Sequence, residues 1–338
     1  MNSRFRTSYS IRLAIVSLIA FAWTTSATVA EPSIWKIQGW SKTNFDKKSI
    51  EFNEILSGGP PKDGIPSIDR PKFMAAAEEK TLGAQEPVIG LTLNGEAKAY
   101  PLRILIWHEI VNDSIGGTPV AVTYCPLCNS AIVFKREFKG KLHDFGTTGK
   151  LRNSDLVMYD RQTESWWQQF TGTGIVGDYT GHELETVPAR LESFEKFKQR
   201  HADGKVLVPA NANIRQYGLN PYVGYDSRTA PYPLFQGELP KNINPMARVI
   251  VVKSNGKPKG VTMDLVRKSG SVKVDEVTIA WEKGQNSALD NSSINKGKDV
   301  GNITAQKKNG GKVEDVVYDV TFAFVFKAFY PSEEIRQN

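Results

Sequence analysis

Along this chain, apolar and β-branched residues come in short runs with polar breaks, and few of them recur at helical spacing. Residues 88–93 and 97–100 flank Asn94-Gly95, a hairpin signal because both turn positions need positive φ. Residues 118–124 and 131–138 read as strands on either side of a short break, and Lys139-Gly140 turns the chain into 141–145. Further strands are predicted at 155–159, 249–253, 260–266, 272–281 and 316–329. Helical periodicity is clearest at 191–201, where Leu191, Phe194 and Phe197 recur every three residues before Asp203-Gly204 ends the run. A second, shorter helix fits 102–111. The pattern predicts an α+β, β-rich fold of mostly antiparallel sheet with a few short helices, and no internal repeat is visible in it.

Two stretches fit neither period. Residues 209–245 are dense in Pro, Asn, Gly and Tyr, which predicts a long ordered loop. Residues 283–312 are dominated by Asn, Ser, Gly and Lys and predict a flexible low-complexity insertion at the surface. At the other end, Arg4, Arg6 and Arg12 precede the apolar run 13–23 and small residues up to Ala30. That order describes a secretory signal peptide, residues 1–30, with an apolar core shorter than the roughly 20 residues of a membrane span. The expected organisation is this leader, an extension at 31–64, and one principal β-rich domain at 65–338, in a periplasmic or extracellular protein with no later membrane span. The net charge of +7 falls to +4 once the three leader arginines are discounted, too small and scattered an excess to indicate nucleic acid.

Export changes the reading of the two cysteines, since disulfides persist outside the cytosol. Cys125 and Cys128 lie in Tyr124-Cys125-Pro126-Leu127-Cys128-Asn129 and are the only cysteines present. In a thioredoxin-like fold such a pair opens a helix. Here Ala131-Ile132-Val133-Phe134 follows and reads as strand, so that fold is not expected. A tight knuckle of the zinc-ribbon kind fits better, but it needs four ligands and no second cysteine pair exists. Histidine would have to complete it. His108 stands in Trp107-His108-Glu109, and His143 follows the Lys139-Gly140 turn, whereas His182 and His201 read as structural or surface groups. Around these, Glu109, Asn153, Asp155, Arg161, Glu164 and Trp166 are candidates for a polar rim, with Trp166 and Trp167 as stacking surfaces.

The succession Tyr100-Pro101-Leu102-Arg103, Trp107-His108-Glu109-Ile110-Val111-Asn112-Asp113, Thr123-Tyr124-Cys125-Pro126-Leu127-Cys128 and Asn153-Ser154-Asp155-Leu156-Val157-Met158-Tyr159-Asp160-Arg161 resembles a bacterial exported family catalogued as domain of unknown function 3179. The likeness continues through Thr163-Glu164-Ser165-Trp166, Asn220-Pro221-Tyr222-Val223-Gly224-Tyr225-Asp226 and Phe329-Tyr330-Pro331, spanning about residues 65 to 335. Some members of that family carry selenocysteine in the pair, which implies sulfur or selenium redox work. Asn129 replaces a frequent glycine, yet Asn also adopts the left-handed turn.

Three functions fit these residues. In a thiol–disulfide reaction on an unknown exported protein or a small thiol, Cys125 attacks and Cys128 resolves, with His108 or Arg103 lowering a thiol pKa. In a metal site, Cys125 and Cys128 join His108 and His143 around Zn²⁺ or Cu⁺, the ions that soft ligands favour. In a non-catalytic binding module, the pair is a staple across a tight hairpin.

Overall fold

The computed structural model describes residues 32–338, so the leader expected at 1–30 lies outside the described residues. The β-rich expectation holds. Short, mostly antiparallel strands alternate with five α-helices of six or seven residues among the described residues.

The organisation that the sequence pattern hid is an internal duplication. The first copy opens with the hairpin β1 (Pro87–Leu93) and β2 (Glu96–Pro101), then helix α1 (Leu102–His108). It continues with β3 (Ile110–Ile115), β4 (Thr118–Cys125) and β5 (Ser130–Lys135). It closes with β6 (Thr186–Val187), β7 (Arg190–Ser193), α2 (Phe194–Arg200) and β8 (Lys205–Val208). The second copy repeats this succession. Its first half is β9 (Arg248–Ser254), β10 (Lys257–Thr262), α3 (Met263–Ser269), β11 (Ser271–Val274) and β12 (Val277–Glu282). Then follow β13 (Asn302–Asn309), β14 (Lys312–Asp315), β15 (Tyr318–Phe322), α4 (Ala323–Phe329) and β16 (Ile335–Arg336).

Register makes the equivalence exact to the residue at several points. β7 runs antiparallel to β1 with Arg190 opposite Gly90, and β15 runs antiparallel to β9 with Asp319 opposite Val251. β8 lies parallel to β2 with Val206 opposite Ala99, and β16 lies parallel to β10 with Ile335 opposite Gly260. The turns Asn94-Gly95 and Asn255-Gly256 correspond. The copies also clasp each other. The Ala131 amide in the first copy donates to Asp319 Oδ1 at 2.8 Å, and the Ser193 amide donates to Asn302 Oδ1 at 2.7 Å. One hydrophobic cluster runs through both copies, from Leu105 and Val122 to Val252 and Phe324.

Several expected elements are corrected by this arrangement. The strands expected through 260–266 and 316–329 stop at Thr262 and Phe322 and hand over to α3 and α4. An apolar run that short serves either element, and the Thr262 hydroxyl decides one case by accepting the Leu265 amide. The run 272–281 is a hairpin turned at Asp275, φ 50°. Likewise 191–201 begins as strand β7, and 102–111 is helical only to His108. The stretch 283–312 is not a loose insertion: Gln285 to Leu289 are buried, and its C-terminal part supplies β13 and enters β14. Its residues 283–301 replace, in the second copy, the short β4–β5 connection that carries Cys128 in the first. The loop 209–245 links the copies and holds only a 3₁₀ turn at Tyr225–Ser227, as its composition predicts.

Between β5 and β6 the first copy carries an inserted sheet with strands Phe145–Arg152, Asp155–Asp160, Trp166–Gln168 and Gly174–Val176. The chain from 32 to 55 covers one face of it, placing Trp35, Trp40 and Phe45 around Trp166. Asp155, the first residue of the second of these strands, lies beside the cysteines.

Candidate functional site

The two cysteines sit on the β4–β5 hairpin. Cys125 ends β4 opposite Ser130, and residues 126–129 form the connection. The Cys128 amide donates to Cys125 O and the Asn129 amide to Pro126 O, both at 3.2 Å, with Asn129 in the left-handed region at φ 52°. Three outside groups hold this knuckle. Asn129 Nδ2 donates to Val320 O at 2.8 Å, the Thr321 hydroxyl to Cys128 O at 2.9 Å, and the Tyr225 hydroxyl to Leu127 O at 3.0 Å. Both sulfurs are free thiols and both are buried.

Facing them is the turn Asn153-Ser154, with φ of 53° and 63°, which leads into Asp155. Ser154 O accepts from Cys128 Sγ at 3.4 Å and lies 3.7 Å from Cys125 Sγ. One carboxylate oxygen of Asp155 joins the two sulfurs in a group whose atoms all lie within 4.8 Å of one another, the only such cluster among the described residues. Asp155 Oδ2 accepts from the Phe170 amide at 2.9 Å and Gln168 Nε2 at 2.6 Å, which fixes the carboxylate. Its Oδ1 and the Ser154 hydroxyl are buried without a partner.

Beside Cys125 lies Glu109, one residue past the end of α1 and also in the left-handed region at φ 58°. Its carboxyl has no hydrogen-bond or ion-pair partner among the described residues. Glu109 and Cys125 line a cavity of about 130 Å³ whose other walls include Ile65, Leu127, Tyr222 and Leu234.

The electrostatics are one-sided. Burial pushes both thiols up, and Asp155 adds to the effect on each. Burial also raises Asp155 to about 6 against the help of the Phe170 amide, Gln168 and the two thiols, and raises Glu109 to about 8 with Asp155 contributing. Burial is the largest cause for all four acids, and the Asp155 charge adds to it at Glu109 and at both thiols.

The other expected residues are elsewhere. His108 is clamped between Pro66 O and the Tyr217 hydroxyl, each at 2.7 Å, so both ring nitrogens are engaged. His143 packs edge-on to Phe138 and Tyr179, with Nε2 3.2 Å from the Tyr179 hydroxyl. Arg103 forms a two-pronged pair with Glu86 at 2.8 and 2.5 Å. Arg161 bonds Asp69 and Ser67, and Glu164 receives Lys62 at 2.7 Å. Trp166 is fully buried against Trp35 and Trp40, with ring centroids 4.9 and 5.1 Å apart, and offers no stacking surface. Trp167 is buried too and donates to Asp160. His182 meets Lys139, and His201 meets Thr92. Of the expected site residues, the fold therefore gathers Cys125, Cys128, Asp155 and Glu109, with Asn153 shaping the turn. Ser154 O, Tyr222 and Leu234 were not legible as site residues, because strand turns and the 209–245 loop deliver them from a distance. A wider groove of about 390 Å³ runs between α2 and β12, but its Arg190, Lys196 and Arg200 are each already paired with a carboxylate.

The family model described as "Protein of unknown function (DUF3179)" matches residues 62–333, and the chain belongs to that family. No curated protein and no solved structure matches it.

Proposed function

We propose that this chain is a metal-binding protein whose centre is a Zn²⁺ ion held by Cys125 Sγ, Cys128 Sγ and the free Oδ1 side of Asp155. One observation carries the reading: both buried sulfurs and an Asp155 carboxylate oxygen lie within 4.8 Å of one another, and Asp155 Oδ1 has no hydrogen-bond partner. No ion pair reaches Asp155 or Glu109 among the described residues, Lys150 on the cavity wall turning its ammonium to Gln38 instead. A dication supplies the missing charge, displacing the thiol protons and lowering each ligand's pKa. Tetrahedral zinc with Zn–S near 2.3 Å sets its ligands about 3.8 Å apart, so atoms already within 4.8 Å need only a small contraction. The mixed sulfur and carboxylate set favours Zn²⁺ over Cu⁺, which prefers sulfur alone.

The thiol–disulfide reading draws less support. An attacking cysteine needs an accessible, low-pKa thiolate, usually beside a cation. Cys125 and Cys128 are buried among acids, and His108 and Arg103 spend their hydrogen bonds on Pro66, Tyr217 and Glu86 instead. In an exported protein, the setting that residues 1–30 imply, a bound metal also shields the pair from oxidation.

The test is competition for Zn²⁺ against a chromophoric chelator at neutral pH, with reduced protein. The reading expects one equivalent per chain, lost in both Cys128→Ser and Asp155→Ala. Binding that survives both substitutions would place the metal elsewhere.

A further inference from the structure

The duplication gives Glu109 a reference. Its counterpart in the second copy is Gly270, since α1 and α3 are matched, seven-residue helices and each is followed by one left-handed residue and a strand. Gly270 has φ 73° and Glu109 has φ 58°. Glycine is the ordinary residue at such a helix end, because a Cβ costs roughly 1–2 kcal/mol there. The first copy bears that cost, and with it the burial of a carboxyl that no group among the described residues satisfies. Strain and an unpartnered buried acid coincide at the wall of a cavity that Cys125 also lines.

We propose that the cavity admits a small uncharged ligand, which donates a lone pair to the metal's fourth coordination position and an N–H or O–H to Glu109. The inference rests on the metal reading above. Three protein ligands leave one position open, the arrangement of catalytic rather than structural zinc sites. Cys125 is both ligand and cavity wall, so that position can face the cavity. Size and charge define the ligand class. About 130 Å³ is far below a drug-sized pocket, and its walls are mainly apolar, Lys150 among them directing its ammonium to Gln38. A dication with two thiolates and one carboxylate already carries a net negative charge, which disfavours anions. Glu109 presents an acceptor oxygen in either protonation state, so it recognises a donor hydrogen on the ligand.

The test uses the full chain loaded with Co²⁺, whose visible bands report coordination, and two neutral probes. Imidazole carries an N–H opposite its donor nitrogen, and 1-methylimidazole does not. In the unaltered chain imidazole should shift the bands and bind at least tenfold more tightly than its methylated form. Glu109→Gly, which installs the residue of the second copy, should keep Co²⁺ and abolish that preference. Leu234→Trp, which fills the cavity, should keep Co²⁺ and exclude both probes. Sulfur-to-cobalt bands that neither probe perturbs would overturn this inference while leaving the metal reading intact, and so would a preference that persists in Glu109→Gly. Absence of any sulfur-to-cobalt band would overturn both.

Discussion

Titrating the metal-free protein tests the electrostatic core of this account. Asp155 is buried and its pKa stands at about 6, against an ordinary 3.8. The unfolded chain therefore loses this proton near 3.8, while the folded chain keeps it to about 6. Between those values the folded state binds more protons, so stability falls as pH rises; the penalty is absent below 3.8 and complete above about 6. At 1.36 kcal/mol per pH unit, the interval is worth about 3 kcal/mol. Asp155→Asn removes the ionisation, and its amide oxygen can still accept from the Phe170 amide and Gln168. The assay is urea unfolding of reduced, chelator-treated protein at a series of pH values from 4 to 8. The unaltered chain should lose several kcal/mol over the series, with Glu109, raised from 4.5 to about 8, adding to the fall from about pH 4.5 upward. Asp155→Asn should lose about 3 kcal/mol less. Parallel curves for the two proteins would refute the claim that Asp155 sits uncompensated.

Other substitutions separate the site from its scaffold. Cys128→Ser should abolish stoichiometric zinc binding while the far-ultraviolet circular dichroism stays that of the unaltered chain. Tyr217→Phe removes a hydrogen bond from buried His108 and should cost about 1–3 kcal/mol in chemical unfolding without changing zinc affinity; weakened zinc binding would return His108 to the metal. Trp166→Ala should destabilise by about 3–5 kcal/mol, because the ring fills the cluster beneath residues 32–55, and should leave zinc stoichiometry untouched. Glu109→Gly should raise the stability of the metal-free protein at pH 8 by about 1 kcal/mol or more, through relief of the left-handed strain.

What the sequence revealed followed range. The Asn94-Gly95 hairpin, the strand after Cys128 and the irregular 209–245 loop are set by neighbouring residues, and each was legible. Asp155 and Glu109 stood out as polar residues near the right motifs, but nothing in their spacing said that a sheet turn and a helix end would aim them at the cysteines. The histidines misled for the same reason: Tyr217, which occupies His108, arrives from the distant loop. The duplication escaped because the copies share register and helix length more than residues. Val88-Ile89 and Asn94-Gly95 recur as Val249-Ile250 and Asn255-Gly256, whereas the cysteine knuckle and residues 283–301 occupy equivalent connections with unrelated sequences.

The most direct measurement is X-ray absorption at the zinc edge of the loaded protein. The account predicts two sulfur neighbours near 2.3 Å and a lighter shell of oxygen at about 2.0–2.2 Å. A shell of oxygen and nitrogen alone would contradict it, and so would a shell of four sulfurs drawn from two chains.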